Sequence, residues 1–545
     1  MERIIVTPLG GLGEIGINAM VLEYNGKALL IDFGQMFSSE PCYGIDAYLP
    51  DPQYLLNDGP ELLAIVATHG HEDHIGAIPY FFKDFEVPVY GTDFTLALIT
   101  SRLKEHNASP QGRLKKVNAG DKVQIGPFDI EFVSVAHSIV GSLALAIRTP
   151  AGTVVHTSDF KTQGLQFDKE RFSALGKEGV LLMLSDSTNI EVEGFTPSEE
   201  DVLPILEEIF ERATGKILFT TFSSHIPRIQ QVFELAERFG RKVAVAGRSM
   251  LNNLQTAVEL GYLHLPVGLW VHESAIRSLK PKEVVALVTG SQGEFQAVLR
   301  AITNKTHRSI AIEDGDTVVF SSRIIPGNER QVYDVINSLY AQGANVFYGR
   351  DAKVHASGHG AREDQKLMLE LVKPRYFMPI HGEIRHLKQH LELALKTGVA
   401  KERLIYALDG ERVAISQEAA EQLSSVPTGR IPAVGKLLIE IDPQTIKERR
   451  ILSNEGIVVV LINLNDKTGE VETLFELVSS GFLNGNSGDH LLKARKILEE
   501  TVESLGPQAF EDPDALKESV RRKLKRFFQK TLNKRPLILP VVLNG

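Results

Sequence analysis

At 545 residues the chain is too long for one core, and about 150 residues per domain points to three or so domains. Apolar content of 43% and charged content of 23% are those of a globular protein; no apolar run reaches the roughly 20 residues of a membrane span, and MERIIVTPL lacks a signal-peptide core, so a cytoplasmic, membrane-free protein is expected. The net charge of −10 argues against a general polyanion binder without excluding a local basic channel, and the single Cys42 excludes an intramolecular disulfide and a multi-cysteine metal site.

RIIVTPLGGLGEIG comes first, with Gly11, Gly13 and Gly16 in the spacing of a dinucleotide-binding loop and Asp32 where the ribose-binding acid would stand. Such a loop needs a helix next. INAMVLEYNGKALLIDFG instead reads as two strands joined by Asn25-Gly26, the pair that best tolerates positive φ in a tight hairpin. The glycines are therefore a turn between strands, and short apolar runs continue to about residue 195 in a strand-rich α/β layout.

LLAIVATHGHEDHIGA places His69, His71, Asp73 and His74 at the end of a strand. Three imidazoles and a carboxylate in six residues, without thiolate, suit zinc, manganese or iron. One turn cannot wrap four ligands around one ion, so two ions sharing the cluster is the natural arrangement if ligands arrive from elsewhere. VSVAHSIVGS and VVHTSDF supply His137 and Asp159 at further strand ends.

TPSEEDVLPILEEIFERA opens a helix, after which strands and helices alternate over 200 to 352 as in a parallel sheet. HASGHGAREDQKLMLELVKPRYFMPIHGEIRHL is a loop, a helix and a strand ending at His381. From about 430 come the strands GIVVVLINL and EVETLFELV, helices near 488 to 505 and 514 to 532, and a last strand PLILPVVL. In the final helix Arg521, Arg522, Lys523, Lys525, Arg526 and Lys530 flank an apolar face; a solvated face over a small core is the preferred reading, an RNA or partner surface the alternative.

The pattern H-x-H-x-D-H with a later His, Asp and His resembles the metallo-β-lactamase superfamily. The resemblance implies His69, His71 and His137 on one divalent ion, Asp73, His74 and His381 on a second, and Asp159 between them, with Zn2+ foremost and Mn2+ or Mg2+ as alternatives. Two such ions lower the pKa of water and stabilise a developing oxyanion, which is hydrolytic chemistry. Asp159 and His381 are 381 − 159 = 222 residues apart, and a domain inserted in that gap resembles the β-CASP nucleases, whose pattern implies Asp186 and His359 as a carboxylate-histidine pair that protonates the leaving oxygen.

GGLGEIGINAM, HGHEDHIGAIPY, SDSTN, AGRSM, TGSQGE, SSRIIPGNE, HASGHG and PIHGEIRHL are similar to landmarks of the ribonuclease J family. That likeness implies a 5′→3′ exonuclease and endonuclease on single-stranded RNA, preferring 5′-monophosphorylated ends, as a homodimer or homotetramer, and a place in an RNA-degradation complex. It implies phosphate contacts along His355, Ala356, Ser357, Gly358 and His359. Ser223, Ser224, Arg248, Ser291 and Gln292 are further candidates, although TTFSSHIP departs from the expected TFAS-N at His225 and Pro227. Asp32 is expected to support a metal-binding histidine from behind. A DNA-processing β-CASP nuclease, a small-ester hydrolase and a non-catalytic RNA-binding subunit are the rivals. The expected fold is α/β: a split metallo-β-lactamase αββα sandwich (1–199 and 353–430), an inserted β-CASP α/β domain (200–352), a linker (431–450) and a small C-terminal α/β domain (451–545).

Overall fold

The computed structural model describes residues 2–37, 44–294, 297–325, 327–438, 443–464, 476–482, 488–505 and 512–544. Cys42 and the first part of EVETLFELV lie outside them. The chain divides into two compact units, the first ending at Leu438.

In the first unit an eight-stranded and a six-stranded sheet enclose a common core. Alternation along each strand builds it: Leu29, Ile31, Ala64 and Val66 face the second sheet, while Ala28, Leu30 and Ile65 face the helices Ile78–Phe81 and Asp93–Glu105. On the other sheet Phe132, Leu145, Val154 and Leu184 face inward, and Val133, Ala146, Val155 and Met183 face the helices Lys169–Glu178, Arg362–Val372 and Ile384–Lys396. This is the expected αββα sandwich.

The glycine-rich opening carries no helix. Ile4–Gly10 and Ala19–Tyr24 pair antiparallel, and Asn25 (φ 51°) and Gly26 (φ 72°) turn the chain into Lys27–Ile31. Leu12–Gly13 pairs with Gly382–Glu383, directly after His381.

Helix Glu199–Arg212, opened by a capping box between Ser198 and Asp201, leads into a six-stranded sheet whose pairs are all parallel. Both faces are covered: Ile217 and Phe219 are buried on one side, Leu218 on the other.

The stretch 431–450, expected as a linker, carries regular structure. Arg430–Val434 pairs antiparallel with Ala47–Pro50 because Ala433 is fully buried in the first unit's core, and the helix Pro443–Glu455 follows. The second unit sets Ile457–Leu464 between Glu476–Ser480 and Leu537–Asn544. Leu516, Val520, Leu524 and Phe528 of the last helix are core, so its apolar stripe is internal, and Arg521 pairs with Glu518.

Candidate metal centre

Five strands end at one place. Glu61–Val66 comes from the first sheet, and Phe128–Ser134, Gly152–His156, Leu182–Asp186 and Tyr376–Ile380 come from the second. Each carries a candidate residue at its carboxyl end or in the loop that follows, as strands commonly do in α/β proteins. The short helix Glu72–Ile75 turns His74 back toward the cluster.

The donor atoms form interlocking groups: His69, His71, His137 and Asp159; Asp73, His74 and His381; and Asp159, Asp186, His359 and His381. In the first, His71 Nδ1 lies 3.1 Å from both His69 Nε2 and His137 Nε2, and Asp159 Oδ2 is 3.6 Å from each of the latter two. A tetrahedron with zinc–nitrogen bonds of about 2.0 Å has edges of about 3.3 Å, so these spacings fit one ion. In the second, Asp73 Oδ2 is 3.6 Å from His74 Nε2 and 3.5 Å from His381 Nε2, and Asp159 Oδ2 is 3.2 Å from His74 Nε2. His381 Nε2 is buried with no hydrogen-bond partner among the described residues.

Protonation divides the same way. Burial, reinforced by neighbouring imidazoles, holds His69 and His137 well below the ordinary histidine range and His71 at about 4, leaving neutral rings with free lone pairs. Burial also opposes charge on His74 and His381, but Asp159 and its neighbouring carboxylates outweigh it, raising His74 well above the ordinary range and His381 to about 10. Their protons balance buried carboxylates, the task a dication performs when it displaces them.

Three of the ligand rings are fixed from behind. Asp32 (φ 59°) accepts Thr68 N–H at 2.7 Å and the Thr68 hydroxyl at 2.8 Å, and meets His74 Nδ1 at 2.7 Å. Gly358 O accepts from His137 Nδ1 at 2.7 Å, aiming Nε2 at the cluster; a Cβ at position 358 would stand 2.5 Å from the His137 ring. His381 (φ 51°) meets Asp159 Oδ1 at 2.8 Å. At the edge, His359 Nδ1 lies 2.8 Å from Asp186 Oδ2, and its Nε2 points toward Asp159 Oδ2, 3.9 Å away. Burial disfavours charge on His359, yet Asp186 and then Asp159 raise its pKa above the ordinary value.

Residues 12–200 match the metallo-beta-lactamase superfamily, 214–339 the ribonuclease J beta-CASP domain, 350–403 the Zn-dependent metallo-hydrolase RNA specificity domain and 444–545 the ribonuclease J C-terminal domain. Curated proteins called ribonuclease J are similar over nearly the whole chain. One from Helicobacter pylori strain B128 is 36% identical, covering 98% of this chain and 78% of its own. Ribonuclease J 1 of Streptococcus pyogenes serotype M3 is 37% identical over 99% of this chain and 97% of its own, and the Thermus thermophilus protein 38% over 100% and 96%. The chain belongs to the ribonuclease J family. A crystal structure of an Enterococcus faecalis V583 protein of unknown function shares the fold, with a TM-score of 0.54 and 17% identity over 76% of this chain and all of that one.

In this ribonuclease J family member the strap 355–359 lies against the cluster. Ser357 Oγ accepts from Asn189 Nδ2 at 2.9 Å and from His359 N–H at 3.1 Å, which leaves its own proton to donate. Ala356 is buried, and burial followed by His225 holds His355 at about 3, so His355 is a neutral donor there. The other expected phosphate contacts sit at carboxyl ends of the inserted domain's strands. Ser223 is bonded to Asn253, Ser224 is half-buried and Arg248 is exposed at the start of its helix. Ser291 is buried. Gln292 is buried, and its amide bonds Arg323 O and Ile325 N–H, at 2.8 Å each. His225 is likewise internal, accepting from Arg228 N–H and lying 3.5 Å from Glu199.

Sequence reasoning missed the groups that tie loops together. Asn18 Nδ2 reaches Asp73 O and His74 Nε2, both at 3.1 Å. Buried Asp364 accepts N–H bonds from Thr162, Thr196 and Ala361, fastening the far end of the strap.

Proposed function

We propose that this metal-dependent ribonuclease cuts single-stranded RNA both internally and from its 5′ end in the 5′→3′ direction, leaving 5′-phosphate and 3′-hydroxyl ends. The observation that carries the reading is the His359–Asp186 pair standing at the rim of the histidine–aspartate cluster, beside Ser357, whose hydroxyl proton is free for a phosphate.

His69, His71, His137 and Asp159 would hold one divalent ion, and Asp73, His74, His381 and Asp159 a second, with zinc favoured by the nitrogen-rich, thiolate-free donor set. Bound there, the ions supply Lewis acidity toward water and a phosphoryl oxygen. Asp186 orients His359 and keeps it protonated, so that its Nε2 proton can pass to the leaving 3′-oxygen. Ser357 and the neutral His355 donate to phosphate oxygens, and the backbone of the strap holds His137 in place. A homodimer or homotetramer in the cytoplasm, working within an RNA-degradation complex, completes the proposal.

Matched oligonucleotides test it. The protein should degrade 5′-monophosphorylated single-stranded RNA fastest, 5′-triphosphorylated RNA more slowly, and DNA of the same sequence negligibly; equal rates on DNA would replace the RNA reading with the DNA one.

A further inference from the structure

Arg323 stands at the carboxyl end of the strand Thr317–Phe320 in the inserted domain. Gln292 pins its loop by bonding Arg323 O and Ile325 N–H. The guanidinium donates through Nη1 to Asn189 Oδ1, and Asn189 Nδ2 donates in turn to Ser357 Oγ and His359 O, each at 2.9 Å. Arg323 is therefore two hydrogen bonds from the proton-donating histidine.

Its charge is unbalanced. Arg102, Arg228 and Arg385 all meet carboxylates at close range. Arg323 makes no ion pair among the described residues and has only the neutral amide of Asn189 as a side-chain partner. The charged groups that face it are Arg350, which repels it, and Glu191, which is already engaged by Arg385, His386 and Gln389. A planar fork of donors held in place with no anion is the chemistry of a phosphate contact.

We infer that Arg323 binds a phosphodiester of the RNA adjoining the one that is cut, and that Asn189 couples this contact to the register of the strap carrying Ser357 and His359. The inference rests on the ribonuclease reading above. It makes Arg323 a substrate-binding and positioning residue.

The test is the salt dependence of cleavage by the full-length protein, with a 5′-monophosphorylated oligoribonucleotide as probe. Arg323→Gln retains an N–H donor for Asn189 and loses the charge; Arg323→Lys retains the charge. The Gln variant should raise KM about tenfold and lower the slope of log KM against log salt by about 0.7, the value of one single-strand phosphate contact. The Lys variant should keep the parental slope. Both should melt within a few degrees of the parent, because the side chain is exposed. Parental KM and slope in Arg323→Gln would overturn the proposal, as would equal losses of kcat in both variants with the slope unchanged. Failure of the parent to cleave RNA would instead remove the reading on which it rests.

Discussion

A hydrogen bond to one histidine nitrogen aims the other, and His74, His137 and His381 are held in three ways: by Asp32, by the Gly358 carbonyl and by Asp159. Asp32→Asn replaces the acceptor facing His74 Nδ1 with an amide that can present its nitrogen, so metal affinity should fall about 10- to 100-fold in a chelator competition. Gly358→Ala would drive a methyl into the His137 ring. It should cost about 1–3 kcal/mol of stability by thermal or denaturant unfolding and reduce bound metal. His359→Ala should lower kcat by about 10²–10⁴ while metal content stays parental, since the residue moves a proton in this account. Near-parental kcat would end its catalytic role. The cluster of His69, His71, Asp73 and His74 was legible because three histidines and an aspartate in six residues have no ordinary packing explanation. Asn18 and Thr68 were not, because a lone polar residue carries no signature and Asn18 meets partners 55 and 56 positions away.

At the level of elements, the hairpin at Asn25-Gly26 was readable because its turn requires positive φ and the sequence supplies residues that tolerate it. The absence of a helix after Gly16 was equally readable and removed the cofactor interpretation. The strand at Arg430–Val434 was not, since its pairing with Ala47–Pro50 joins opposite ends of the first unit and its pattern is short. The glycine turn itself is anchored by Asp409, which accepts Leu12 N–H at 3.0 Å; burial pushes its carboxyl up to about 7 despite that bond. A raised folded-state pKa means that the fold favours the protonated form. Its contribution to stability is therefore complete below the unfolded value near 4 and is lost as pH rises through about 7. Unfolding of the parent should weaken across that window, and Asp409→Asn should remove this part of the slope. An identical pH dependence in the variant would show that Asp409 does not titrate there.

Across the whole molecule, the α/β alternation of 200 to 352 and the 222-residue gap between Asp159 and His381 made the inserted parallel sheet legible. The phosphate contacts expected within it were less so. The loops after its strands were correctly placed at carboxyl ends, but which polar side chains remain free depends on packing that spacing does not encode. Gln292 holds the loop that presents Arg323. The acidic total charge of −10 is compatible with RNA binding because recognition depends on where cations remain unpaired. Metal content and RNA cleavage measured on the same samples of chelator-stripped, zinc-reconstituted and His74→Ala protein decide whether the buried histidine–aspartate cluster holds the divalent ions on which RNA cleavage depends. Reconstituted protein should carry about two ions per chain and cleave fully, and the stripped and variant proteins should carry fewer ions and cleave at below about 1% of that rate; cleavage by metal-free protein at the reconstituted rate would show that RNA cleavage does not depend on ions held by the cluster.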